Sequence, residues 1–290
     1  MNRITTHRQY RNIIGESPIA DEDFIYWVDA EASQVFQFAL LSQTVQCFDV
    51  GIPVTAIAFT SENSFLLASK TGIYLSSSDF TELQFICDPV SEINDARIND
   101  AVVSPKGELW FGTMNEASLE QPDGAIYIMK GQLGSLVQFD TGFSVSNGIA
   151  FSPDGKKVYI ANMFQAQVLE YQLSDSGEGY ISKRVFIQLD ENDGLPDGLK
   201  TDSLGNLYLC HWAGRCLTVY NSTGERIERV DFPAFHVTRA TFYGGDLTKL
   251  VVTSGSYQCD DQCLVENPDS GHLFLVNATE PGLPEHRYHL

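Results

Sequence analysis

Short apolar runs separated by turn residues fill the chain, and they recur in a fixed order. From Asn99 come AVVS, the turn PKG, ELWFGT, GAIYIM and SLVQFD; from Asn147 come IAFS, the turn PDG, KVYIAN, QVLEYQL and KRVFIQL. β-Branched and aromatic residues fill the runs, and Pro, Gly and Asp fill the gaps. This is the pattern of short strands joined by tight turns. Nothing reads as a long amphipathic helix.

The order repeats because the sequence repeats. NDAVVSPKGELWFGTM (residues 99–114), NGIAFSPDGKKVYIANM (from Asn147) and DGLKTDSLGNLYLCHW (from Asp197) each open on Asn or Asp. Each has Pro or Ser six residues on, Gly eight residues on, and then an aromatic-rich run. TAIAFTSENSFLLAS aligns with Thr55 on Asn147 and Phe59 on Phe151; TRATFYGGDLTKLVVTS does so with Thr238 and Phe242. Glu16 precedes Trp27 by eleven residues, as Asn99 precedes Trp110 and Asp197 precedes Tyr208. The six anchors Glu16, Thr55, Asn99, Asn147, Asp197 and Thr238 are spaced 39, 44, 48, 50 and 41 residues apart. A period of ~40–50 residues made of short strands is that of propeller blades. We therefore expect an all-β fold: one six-bladed β-propeller domain over residues 1–290, with four antiparallel strands per blade. The sixth unit lacks an outer strand at its own end. Residues 4–10 are expected to supply it, with the C-terminal HRYHL as the alternative.

In a propeller the first strand of each blade lines the central channel, so residues just before it are expected at one channel mouth. The six anchors would then meet as two carboxylates, two carboxamides and two hydroxyls. Oxygen donors of this kind suit a hard divalent cation such as Ca²⁺, Mg²⁺ or Mn²⁺. Two carboxylates brought together without one would repel. Asn and Asp also precede strands simply because they cap turns, which is the competing explanation for any single anchor.

Composition narrows the partners. Lys plus Arg is 18 against 38 for Asp plus Glu, a net charge of −20, which disfavours nucleic acid and anionic membranes. The N-terminus has no secretory apolar core, and no run approaches the ~20 apolar residues of a spanning helix. A cytoplasmic protein, monomeric or weakly dimeric, is expected. The six cysteines lack zinc-site spacing; CDDQC (259–263) is the one close pair and is read as loop thiols, reduced in the cytosol. No H-E-x-x-H, no G-x-S-x-G elbow and no G-x-G-x-x-G before a helix is present. His211 and His236 are read as scaffold or rim residues.

At the anchors the chain resembles the SMP-30/gluconolactonase/luciferin-regenerating-enzyme family over roughly residues 12–277. GESP (15–18), RINDAVVSPKGELWFGTM (97–114), SNGIAFSPDGKKVYIAN, LPDGLKTDSLGNLYLCHWAG and VTRATFYGGDLTKLVVTSG carry the resemblance. It implies one divalent ion, Ca²⁺ foremost with Mg²⁺, Mn²⁺, Zn²⁺ or Fe²⁺ also accepted, held by Glu16, Asn147 and Asp197. It further implies substrate binding by Arg97 and Asn99, and proton transfer by Asp197. Glu116, in the loop after G-T-M, is the candidate for a further substrate contact. The implied reaction is hydrolysis of a small-molecule sugar lactone to the aldonic acid, gluconolactonase- or pentonolactonase-like. The alternatives are a non-enzymatic, regucalcin-like calcium- or metal-binding propeller and an interaction hub, the latter disfavoured because the W-D repeat signature is absent. The chain departs from the family pattern at Ser17 and Ala101, each in place of Gly, at Ile19-Ala20, which lack the usual aromatic, and at Arg239 in place of Ser.

Overall fold

The computed structural model describes residues 4–91, 93, 95–131 and 135–290. It contains six four-stranded antiparallel sheets arranged as a six-bladed β-propeller. The first strands, nearest the axis, are Gly15–Ala20, Val54–Phe59, Ala96–Val103, Ser146–Phe151, Leu195–Thr201 and His236–Tyr243. Five sheets take their four strands consecutively from the chain. The sixth takes its outer strand from the N-terminal segment: Thr5–His7 pairs with Leu273–Asn277, Thr6 opposite Phe274. The ring thus closes as the missing outer strand required. Arg8 Nε fixes the join with a 2.7 Å contact to Asp269 Oδ1, and Asn12 donates to Gly271 O at 2.8 Å.

Burial falls from axis to rim. Every residue of Val54–Phe59, Ser146–Phe151 and His236–Tyr243 is buried, whereas most of Thr44–Asp49 and most of Tyr180–Gln188 are exposed. The second strands, such as Phe24–Asp29, Phe65–Ser69 and Leu207–Trp212, read as near-continuous apolar runs, the first strands carry the polar anchors, and the outer strands are the most exposed. The repeat's aromatic positions meet between blades. Trp110 packs edge-on to Phe151 of the next blade, with ring centres 5.2 Å apart, and Tyr208 packs likewise on Phe242 at 5.3 Å. Such pairs add ~0.5–1.5 kcal/mol beyond area burial, so each blade needs the same residues to grip its neighbour. The Gly eight residues after an anchor closes the first hairpin of its blade. Gly107, Gly155 and Gly205 have φ of 74°, 65° and 83°, and each N–H donates back across the turn, to Ser104, Ser152 and Asp202.

The C-terminal segment is not an outer strand. It crosses the face that carries these hairpins: Ser203 N donates to Pro281 O, Tyr288 N to Phe59 O and His289 N to Gly107 O. Tyr288 is fully buried there, its hydroxyl donating to Gly131 O at 2.7 Å. Among the described residues the only helices are the turn Met163–Gln165 and the short Asp261–Glu266, and no helix is long and apolar enough to cross a membrane.

Candidate active site

All six anchors lie at β-bulges. The register of the first two strands slips between Glu16 and Ile19, Val54 and Ala56, Ile98 and Asp100, Asn147 and Ile149, Pro196 and Leu199, and Val237 and Ala240. A bulge inserts an extra residue and re-aims a side chain. The anchors are thus inside their strands, not ahead of them as expected from the sequence, and the bulge directs them off the ladder. Five of the six line one cleft of about 450 Å³: Glu16, Thr55, Asn99, Asn147 and Asp197. The sixth, Thr238, is turned into the scaffold, where its hydroxyl donates to Gly15 O at 2.6 Å.

Glu16, Asn147 and Asp197 form the floor. Asn147 Nδ2 donates to Asp197 Oδ1 at 2.5 Å, and Glu16 Oε2 accepts from Ser17 N at 2.8 Å. Burial, reinforced by the charge of Asp100, pushes the Glu16 carboxyl up to about 7. Burial and the nearby Glu16 push Asp197 well above the ordinary carboxylate range. These two acids are crowded into a space that resists both being charged.

One wall is cationic. Arg97 Nη1 donates to Asn99 Oδ1 and to Ile98 O, both at 3.2 Å, and Asn99 Nδ2 donates to Ser146 O at 3.2 Å. Glu116 reaches this wall from its loop. Its Oε1 lies 3.2 Å from Arg97 Nε and 2.7 Å from Lys70 Nζ. Arg97 Nε is nonetheless buried without an aligned hydrogen bond. Burial raises the Glu116 carboxyl, but the Lys70 hydrogen bond and the Arg97 charge outweigh it and hold it below its ordinary value. A further part of the wall is apolar and aromatic: Met163, Phe164, Trp212 and Tyr257. The six residues singled out from the sequence therefore all line the same cleft.

Reading the sequence missed Lys70, Glu31 and this aromatic wall. Lys70 lies just beyond the second strand of its blade, Phe65–Ser69, at a place where the other repeats carry no matching residue. Arg239 is absent from the cleft; it is buried on the axis below it and paired with Asp100. His211 is fully buried between Asp193 O and Thr218 Oγ1. His236 sits behind the aromatic wall, with its ring centre 3.7 Å from that of Trp212. All six cysteines are free thiols; the Sγ atoms of Cys259 and Cys263 lie 2.9 Å apart in the segment after Tyr257. No three His, Cys, Asp or Glu side chains cluster as a metal site among the described residues; the floor of the cleft is two carboxylates and a carboxamide.

The family description "SMP-30/Gluconolactonase/LRE-like region" matches residues 14–256. A pentonolactonase of Haloferax volcanii is 26% identical over 282 residues, covering 94% of each chain. Regucalcin of Danio rerio is 26% identical over 288 residues, covering 96% of this chain and 95% of its own. The crystal structure of a calcium-binding protein, regucalcin, from Agrobacterium tumefaciens superposes with a TM-score of 0.91 at 26% identity, covering 97% of this chain and 95% of that one.

Proposed function

We propose, for a chain that belongs to the SMP-30/gluconolactonase/LRE-like family, that this cleft is the active site of a metal-dependent sugar lactonase. The observation that supports it is the juxtaposition of Glu16, Asn147 and Asp197 on the floor with Arg97 and Asn99 on the wall beside them. Two carboxylates and a carboxamide are hard oxygen donors. The crowding that pushes Glu16 and Asp197 up is the strain a dication relieves. The set therefore fits one divalent ion, with Ca²⁺ the first candidate.

Such an ion, held by Glu16, Asn147 and Asp197, would polarise the ester carbonyl and lower the pKa of water. The chain's own groups do the rest. Asp197 takes a proton from the attacking water and returns one to the ring oxygen as the acyl–oxygen bond breaks, giving the open aldonic acid. Arg97 and Asn99 donate to sugar hydroxyls and to the carbonyl oxygen as charge builds on it. Glu116, ionised beside Lys70, accepts from a hydroxyl. Trp212 and Phe164 cover the apolar face of the ring and keep bulk water out.

The test is a panel of aldonolactones with Ca²⁺, Mn²⁺, Mg²⁺, Zn²⁺ and Fe²⁺, run on wild type and on Asp197→Asn. Turnover by wild type, with kcat lowered at least ~100-fold in a folded Asp197→Asn, is the expected result. No turnover in any pairing favours the second reading, a calcium-binding propeller, as the similar regucalcin of Agrobacterium tumefaciens is described to be.

A further inference from the structure

One residue beyond two of the anchors lies a buried ion pair. Arg239 Nη1 donates to Asp100 Oδ1, joining blade six to blade three across 139 residues. The side chains are 6% and 4% exposed. Arg239 borders no part of the cleft; it faces the opposite end of the channel with Lys200, Glu285 and His286. A substrate in the cleft therefore does not touch it. Its stem is wedged against the residue after Asp197: a Cβ on Gly198 would come within 2.5 Å of Arg239 Cγ and 2.6 Å of Arg239 Cβ.

The charges on the axis do not cancel. Glu16, Asp100 and Asp197 are within mutual electrostatic reach of one another and of Arg239. With all three carboxylates ionised, as ligation of a cation requires of Glu16 and Asp197, they face one guanidinium, which leaves two negative charges. Below them Lys200 and Glu285 pair at 2.5 Å and add nothing. Asp100 Oδ2 is buried with no hydrogen-bond partner. A buried charge without compensation is costly, so the uncompensated pair of charges is a demand for one dication and no more.

We propose that Arg239 is a positioning residue of the cation site: its fixed charge, tied to Asp100 beneath Glu16 and Asp197, makes the axis neutral when one divalent ion is bound. Arg239 thereby limits the axis to a single ion and sets how tightly it is held. The proposal rests on the reading of Glu16, Asn147 and Asp197 as cation ligands, and the test separates the two.

The test is calorimetric titration of the chelator-treated full-length protein with Ca²⁺, read as affinity and stoichiometry. Wild type takes up one ion. Asp100→Asn, isosteric and one negative charge poorer, binds at least about tenfold more weakly; Arg239→Met, one positive charge poorer, binds at least about tenfold more tightly or takes a second ion. The double variant restores the net charge and returns to within about threefold of wild type. Packing damage alone would weaken every variant and would not reverse sign or be rescued. If Arg239→Met fails to fold, Asp100→Asn and the double variant still decide. Unchanged binding in both, or a double variant weaker than Asp100→Asn, overturns the role of Arg239. Wild type that takes up no ion, or Asp197→Asn that binds as wild type does, overturns the ligand assignment and the proposal with it.

Discussion

The backbone carbonyl of Asp197 lies directly against Gly148: a Cβ at residue 148 would overlap that oxygen and stand 2.7 Å from Leu199 Cγ. Gly148 also has φ +39°. The Gly after Asn147 is thus the space through which the next blade's anchor passes. Gly148→Ala is expected to cost at least about 3 kcal/mol and to displace Asp197, lowering lactone turnover together with stability. Gly51, with φ +67° and nothing near an added Cβ, is the control; Gly51→Ala is expected to cost about 1 kcal/mol with turnover intact. Equal costs in urea unfolding would mean that the contact with Asp197 is unimportant.

Lys70 holds Glu116 over the cleft at 2.7 Å, but both side chains are partly exposed, at 24% and 50%. An exposed pair contributes only ~0–1 kcal/mol to stability. Lys70→Met is therefore expected to leave the thermal midpoint within a few degrees. Its effect should fall on KM, raised about tenfold for the preferred lactone, while kcat stays within about threefold, because uniform binding of substrate and transition state is what is lost. A fall in kcat at unchanged KM would move Lys70 from binding to chemistry.

What could be read from the sequence was what repeats. The six anchors stand out because they occupy equivalent places in equivalent blades, and five of them line the cleft. The outer strand at residues 4–10 could be inferred because a ring cannot close without it. Lys70 has no counterpart in the other blades, so no comparison within the chain isolates it. The Arg239–Asp100 pair joins residues 139 apart and depends on which blades face each other across the axis, which the spacing of strands does not encode. Thr238 has the right position and the wrong neighbours: with Gly15 O and Thr253 Oγ1 in reach, its hydroxyl is committed to the scaffold.

Ser17 pays a backbone cost and recovers it locally. Its φ is +50°, a region that costs a non-glycine residue ~1 kcal/mol or more. In return its hydroxyl accepts from Ile57 N at 3.1 Å and donates to Ile57 O at 3.3 Å, welding blade one to blade two. Ser17→Ala keeps the strain and loses both bonds, and is expected to destabilise by about 2–3 kcal/mol. Ser17→Gly loses the bonds and the strain together, and is expected to cost about 1 kcal/mol less than Ser17→Ala. The order of the two urea midpoints tests this, and a reversed order would mean that the backbone of residue 17 is unstrained.

His211 and His236 make the protein sensitive to acid. Both are held neutral, with burial pushing each down to about 4. The hydrogen bonds agree. His211 Nδ1 faces the carbonyl of Asp193 at 2.8 Å and so carries its proton. His236 Nδ1 accepts from Ala213 N at 3.1 Å and is left without one; charging this ring would break that bond behind the aromatic wall. An unfolded histidine titrates near 6.5. Between about 6.5 and 4 the unfolded chain binds the extra protons, so the stability is present in full above 6.5 and is lost as pH falls towards 4. The loss is on the order of 3 kcal/mol per histidine. Glu16 and Asp197, raised in the fold, act with the opposite sign, so the comparison must be between proteins that share them. Urea unfolding of wild type and His236→Gln across this range isolates the term: the variant is expected to be less stable above 6.5 and to lose less on acidification. Parallel curves would show that His236 binds its proton equally well in the folded and unfolded states.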